Sequence, residues 1–381
     1  MKISLVYDFL SEHGGIERLL LIHAQMLQNK GHKVEILTCY YDPEVLKGMN
    51  FKNVKVKNIS SLAKKYELPA ILFSLLGFNK LKNINSDLFI SYSFPSNYLL
   101  RNKKAKKINF MNHTPRFLYY EGKQKLEWAA STQGIKRKIV LAISSVIGGW
   151  LKNLDKQLVR NNNFLFSNSI FTKKKLDKIY NVSTKVSYPP VDPIFKPSDE
   201  RIKGKFVFAS GRIIPEKKYD WLIEACGRMK TKVPLYISGQ VNELYKLNLE
   251  KLAKDNHVDL KFLGKLSTEE LVKYYSSASV FGFTIPLCDY GLVPIESISC
   301  GTPVVAWKDG GGQTELIKEG VSGLLAKPYD LNDFAKCMDE IIKSDMKVKK
   351  KKEIAEWAKK FSYDYIRDEF VKDVEKVAGK V

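Results

Sequence analysis

The sequence predicts an α/β protein built from two doubly wound domains. Three observations carry that reading. The chain opens with strand, glycine-containing loop, helix and strand; the same grammar restarts near Phe206; and a proline-rich connector separates the two. The length of 381 residues agrees, because a single core stops growing at about 250–300 residues.

Ile3–Tyr7 is a short apolar strand pattern, followed by a loop over 11–15 that ends in Gly14-Gly15. From Ile16 the apolar positions Leu19, Leu20, Ile22 and Leu27 fall at helical spacing, Gly31 stops the helix, and Val34–Thr38 reads as the second strand. The second half repeats this with a strand over Phe206–Arg212, a helix over Tyr219–Met229 and a strand over Leu235–Gly239. Further units are a strand at Val258–Leu263, a helix at Thr268–Ser277, and strands at Ala278–Thr284 and Pro303–Ala306. Between the halves, Tyr188–Pro197 holds Pro189, Pro190, Pro193 and Pro197, which fix φ and stiffen the chain. The expected organisation is a first domain over 1–190, a linker over 191–203 and a second domain over 204–350. A helical segment over 351–381, with Trp357, Phe361, Tyr365, Phe370 and Val374 at apolar spacing, is expected to pack back on the first domain.

Composition narrows the class. Hydrophobic residues make up 44% and charged residues 27%, a globular balance. Cys39, Cys226, Cys288, Cys300 and Cys337 form no Cys-x-x-Cys pair, which argues against a disulfide framework or zinc site and fits a reducing compartment. The N-terminus does not read as a secretory signal, and no apolar run approaches the roughly 18 residues of a spanning helix. The Asn-x-Ser/Thr triplets at Asn58, Asn112 and Asn181 are therefore read as chance. The formal charge of +22 favours an anionic partner, although solvated lysine faces account for it equally well. Lysine clusters at 103–107, 173–175 and 347–352 carry few interleaved aromatics, which counts against single-stranded nucleic acid.

Four loops follow predicted strands, where ligands of open α/β sheets bind. Gly14-Gly15 lets the backbone approach a ligand closely, though many strand–helix turns hold such a pair. Arg212 and Lys217 share the loop after the second domain's first strand; there two cations and a helix dipole suit a diphosphate, while either alone reads as a solvated surface charge. In Gly291–Glu296, Glu296 is expected in the first turn of a helix, either as a helix-start carboxylate or as the acceptor for a ribose's vicinal hydroxyls. Gly310-Gly311-Gly312, followed by Glu315, is a further close-approach loop.

In order along the chain, several stretches resemble one family. They are Gly14–Arg18, Asn112–Tyr119, Phe208–Arg212, Glu216–Lys218, Gly291–Glu296, Cys300–Val304, and Gly311-Gly312 with Glu315. The chain resembles a retaining nucleotide-sugar glycosyltransferase of family 4, whose GT-B fold sets two Rossmann-like doubly wound domains across a cleft. The segment His113-Thr114-Pro115-Arg116 is most similar to a mannosyltransferase branch. The resemblance implies a catalytic set of His113, Arg212 and Lys217: the cations hold the diphosphate and stabilise the leaving nucleotide, and His113 contacts the donor sugar. It implies donor binding by Gly14, Gly15, Cys288, Asp289, Tyr290, Gly291, Leu292, Glu296, Gly311 and Gly312, with Glu296 on the ribose. No metal and no cofactor are implied, in keeping with the lack of an Asp-x-Asp motif.

One position departs from the pattern. Counting back from Glu296, the first acid of the family's Glu-x7-Glu motif falls on Cys288. A thiol cannot replace a carboxylate's acceptor oxygens, so Asp289 or backbone amides are left to hold the sugar. This keeps open a second reading, a glycosyltransferase-like subunit of low activity; a basic nucleic-acid binder is the third.

Residues 68–78, flanked by Lys64, Lys65, Lys80 and Lys82, and Ile139–Leu151, preceded by Lys136-Arg137-Lys138, have the cation-plus-apolar character of interfacial helices. Ordinary core helices explain them too. The expected function is transfer of a mannose or glucose type of hexose from a GDP- or UDP-sugar to a lipid-linked or polysaccharide acceptor. The expected place is the cytoplasm, peripheral on the anionic inner face of the cell membrane, with no nucleic-acid partner.

Overall fold

The computed structural model describes residues 1–11, 14–48, 54–60, 74–77, 80–120 and 134–379. Contacts divide the chain into two compact units, one built chiefly from Met1–Lys125, Lys138–Pro190 and Ile366–Val381, the other chiefly from Val191–Tyr365.

The first unit holds β1 (Lys2–Val6), β2 (Lys33–Thr38), β3 (Lys55–Asn58), β4 (Leu88–Tyr92), β5 (Lys106–Met111), β6 (Phe164–Ser167) and β7 (Lys185–Val186). They pair in parallel in the order β3-β2-β1-β4-β5-β6-β7. α1 (Gly15–Asn29) makes the first crossover, and α2 (Gly134–Arg160) precedes β6. β4 is buried at every position, as a parallel strand covered on both faces must be. Strands β3 to β7 have no counterpart in the sequence reading. β3 alternates lysine with other residues and β7 is two residues long, so neither gives an apolar run.

The second unit repeats the plan with β8 (Val207–Ser210), β9 (Leu235–Ser238), β10 (Leu260–Gly264), β11 (Val280–Phe283), β12 (Val304–Trp307) and β13 (Gly323–Ala326). Their parallel order is β10-β9-β8-β11-β12-β13. The helices that matter below are α3 (Tyr219–Arg228), α4 (Thr268–Ser277), α5 (Leu292–Ser299) and α6 (Leu331–Lys343). α4 starts where the sequence predicts because Ser267 and Glu270 form a reciprocal capping box. α6 turns Phe334, Met338, Ile341 and Ile342 inward. The Phe334 ring lies 4.6 Å from that of Trp307, which is fully buried and alone removes about 1.5–3 kcal/mol worth of apolar surface from water.

Two segment expectations change. Residues 191–203, expected as a linker, include a stretch tied to the second unit: Val191 donates to the Phe361 carbonyl at 2.8 Å, Phe195 is buried, and the Ser198 amide donates to Ser276 at 3.0 Å. The 351–381 segment divides. In α7 (Lys351–Lys359), Trp357 donates to the Leu316 carbonyl at 2.7 Å within the second unit. In α8 (Tyr363–Ala378), residues from Ile366 onward belong to the first unit, where Phe370 stacks on His23 at 4.0 Å. The apolar residues of α7 and α8 thus pack against different cores. The apolar stretch 68–78 lies largely outside the described residues.

Candidate functional site

Because every strand of the second sheet is parallel, the loops after β8, β9, β11 and β12 leave from one edge. The first two cross at a pair of glycines with positive φ, 130° at Gly211 and 150° at Gly239. A Cβ on Gly239 would sit 1.8 Å from the Gly211 carbonyl oxygen, so no side chain fits. Arg212 follows on the exposed surface. The sequence expectation set Arg212 and Lys217 at a helix start. Instead Lys217 closes a one-turn 3₁₀ helix, Pro215–Lys217, and α3 begins only at Tyr219, after Lys218 in the left-handed region. The turn is pinned from the neighbouring strand: Thr284 donates to the Lys218 carbonyl at 2.7 Å, and buried Trp307 donates to the Thr284 carbonyl at 2.9 Å. Ser210, Lys217, Tyr219 and Thr284 line one small cavity.

Glu296 also departs from expectation. α5 starts at Leu292, directly after Gly291 at φ 105°, and its first turn contains no acid. Glu296 lies one turn further in and is only 5% exposed. Its Oε2 accepts from the Tyr275 hydroxyl at 3.0 Å, and that hydroxyl is 2.6 Å from the Ser210 hydroxyl. Burial, with the Glu296 carboxylate beside it, pushes the Tyr275 phenol well above its usual range, so it stays a donor. Ser210 immediately precedes Gly211-Arg212. The chain Ser210–Tyr275–Glu296 therefore ties the loop that carries the cations to the helix that carries the acid.

The other two loops interlock. The Gly312 amide donates to the Cys288 carbonyl at 2.7 Å. A Cβ on Gly312 would lie 2.3 Å from the Asp289 carbonyl oxygen, and one on Gly311 would lie 2.9 Å from the Cys288 nitrogen. Asp309 joins the two, accepting from the Leu287 amide at 2.7 Å, the Gly311 amide at 2.9 Å and the Gln313 side chain at 2.7 Å. Gly311 and Gly312 thus serve close backbone approach, whereas Gly310 meets no neighbour and answers instead to its positive φ of 81°. Cys288, Asp289, Gly291 and Leu292 are half-buried, and Tyr290 is buried. Glu315 lies in the short helix Gln313–Leu316.

The remaining predicted residues stand on the first unit. Gly14 is the extended N-cap of α1, and the space its Cβ would take is held by Glu17, whose Oε2 would be 2.2 Å away. Tyr7 donates to the other oxygen of Glu17 at 3.2 Å. Gly15 is the first residue of α1 and exposed. His113 follows β5, half-buried, with its Nδ1 3.0 Å from the Thr114 carbonyl. Because a carbonyl oxygen only accepts, Nδ1 is the donor in that contact. Asp8, beyond β1, accepts from Ser96 at 2.9 Å, and burial lifts its carboxyl to about 6.

Sequence reasoning missed Ser210, Tyr275, Thr284 and Asp309. Tyr275 sits at an apolar helix position and reads as core. Asp309 had a signal, since aspartate before glycine favours a turn in which its side chain accepts from a following amide.

Residues 191–361 match the model of the family described as glycosyl transferases group 1. The whole chain is similar to an uncharacterized glycosyltransferase of Methanocaldococcus jannaschii, 25% identical over 384 residues, covering 99% of this chain and 97% of that protein. It is 32% identical over 153 residues to the D-inositol 3-phosphate glycosyltransferase of Mycolicibacterium smegmatis, covering 38% of this chain and 33% of that protein. Among solved structures it is similar to Anabaena HepE in complex with UDP and glucose, with TM-score 0.74, 17% identity and coverage of 99% and 100%. The sucrose-phosphate synthase of Thermosynechococcus elongatus gives TM-score 0.73, 19% identity and full coverage of both chains. Fold, family-model match and relatives together support a glycosyltransferase of group 1 built on the GT-B fold.

Proposed function

We propose that this chain is a retaining, metal-independent hexosyltransferase that takes its sugar from a nucleotide diphosphate sugar. The observation that carries the reading is the Ser210–Tyr275–Glu296 chain, which couples the Arg212 and Lys217 loop to a buried carboxylate at the same sheet edge. Arg212 and Lys217 bind the diphosphate and stabilise charge on the departing nucleotide, Glu296 accepts from the ribose hydroxyls, and amides of the interlocked 287–290 and 310–313 loops face the sugar. His113 keeps the sugar-contact role that the resemblance implies. A UDP-hexose is the favoured donor, because HepE, of like fold, is solved with UDP-glucose; the mannosyl alternative rests on His113-Thr114-Pro115-Arg116.

The acceptor in this reading is a lipid-linked glycan at an anionic membrane face. On α2, Ile147 and Trp150 are 41% and 62% exposed beside Lys152, and each basic residue near an anionic surface adds about 1 kcal/mol. Among the described residues no helix is long and apolar enough to cross a membrane, so attachment would be interfacial.

The test is glycosyl transfer from a panel of UDP-, GDP- and ADP-sugars. Wild type is expected to use one class of donor, and Arg212→Ala to lose about 2–4 kcal/mol of transition-state stabilisation, a factor of roughly 30 to 1,000 in kcat/KM. Full activity in that variant refutes the assignment.

A further inference from the structure

The amino edge of the second sheet, opposite the loops described above, carries a cavity of about 240 Å³. It opens where the chain enters β8 and β11, and Arg201, Lys205, Ser276, Ser279, Asp345 and Lys347 are among its lining residues.

The charges in it do not balance. Asp345 is its acid, and that carboxylate is paired with Lys205 at 3.2 Å. Lys347 is half-buried, and its Nζ donates to the carbonyls of Ser276 and Ala278 at 2.6 Å each. These carbonyls belong to the C-terminal end of α4, where the helix dipole is negative but supplies only partial charge. Burial first, then the nearby Arg201 guanidinium, lowers the Lys347 ammonium to about 7. Arg201, exposed and donating to the Ser198 and Glu200 carbonyls, and the more deeply set Lys347 thus line one cavity, with no carboxylate paired to either among the described residues. Like charges so placed oppose each other until an anion joins them. The volume lies below the roughly 300–1,000 Å³ of pockets for drug-sized ligands, which suits a small anion better than a nucleotide sugar.

We propose that this cavity binds a phosphate group, either inorganic phosphate or the phosphoryl end of a small sugar phosphate, between Arg201 and Lys347. Ser279 lines the same space and supplies a third polar side chain. The site is separate from the candidate donor loops, being at the other edge of the same sheet.

The experiment is calorimetric titration of the full chain with inorganic phosphate and, in a second arm, glucose 1-phosphate, at fixed ionic strength. Saturable binding is expected in wild type. Arg201→Ala, an exposed substitution that leaves the core intact, is expected to weaken it about tenfold or more, as loss of a charged hydrogen bond does. Lys347→Met is expected to do the same, whereas Arg212→Ala keeps the site and Arg201→Ala keeps UDP binding. Saturation by phosphate alone or by the sugar phosphate alone supports the site and names its source. No saturable binding of either, or binding that survives Arg201→Ala but is lost in Arg212→Ala, overturns the proposal while leaving the donor assignment standing.

Discussion

Tyr275→Phe tests the coupling on which the proposed donor site depends. Tyr275 is fully buried, and its ring packs among Phe208, Phe281 and Phe195 at 5.3, 5.6 and 6.0 Å. Phenylalanine keeps those contacts and removes only the hydroxyl. Glu296, 5% exposed, then loses one donor, at 3.0 Å, and Ser210 loses the hydroxyl at 2.6 Å. A hydrogen bond to a charged group contributes about 1.5–3 kcal/mol and a neutral one about 1 kcal/mol. The variant should therefore be destabilised by about 2–4 kcal/mol, measured as a lower urea midpoint at unchanged slope. Because Glu296 is also released from its fixed position, UDP affinity should fall, tenfold for each ~1.4 kcal/mol of lost positioning. Ser210→Ala is the graded control: it leaves the Tyr275–Glu296 bond in place and should lose only about 1 kcal/mol. If Tyr275→Phe matches wild type within about 0.5 kcal/mol and binds UDP equally well, the hydroxyl does not hold Glu296, and the reasoning fails.

Gly312→Ala places a Cβ 2.3 Å from the Asp289 carbonyl oxygen; the loops must part, at about 1–3 kcal/mol, and calorimetry should show weakened UDP binding with a lowered melting temperature. Cys288→Glu puts a carboxylate at the motif's first acidic position and should tighten a UDP-sugar relative to UDP itself; an unchanged ratio removes that role from position 288. His23 is buried, 2.9 Å from the Tyr92 hydroxyl, and burial lowers its imidazole to about 3 from an ordinary 6.5. The folded chain holds it neutral where the unfolded chain takes up a proton, so stability falls as pH drops from 6.5 towards 3. That slope approaches ~1.4 kcal/mol per pH unit for one proton. His23→Gln should flatten it in urea denaturation run across that range, and an unchanged slope counts against the buried neutral ring.

The part of the site written in short stretches was legible. Gly211-Arg212, Gly291 and the triple glycine mark strand ends because positive φ and close backbone approach are demands that one residue type answers locally. The helix over Thr268–Ser277 was readable to the residue through its capping box. Glu296, expected in the first turn of the helix after Gly291, lies one turn further in, although that helix starts at Leu292 as the sequence suggests.

By itself the sequence determined the two α/β units, their glycine loops and the identity of the cations and acid at one sheet edge, all signals with a range of a few residues. Only the tertiary structure decided what holds those groups. Tyr275 meets Ser210 across 65 positions of sequence, and Leu287 meets Asp309 across 22. Such partners carry no local pattern, because a buried hydroxyl or carboxylate needs a donor or acceptor from wherever packing brings one. The same holds for the split of the C-terminal helices between two cores, which depends on the surface each apolar face meets.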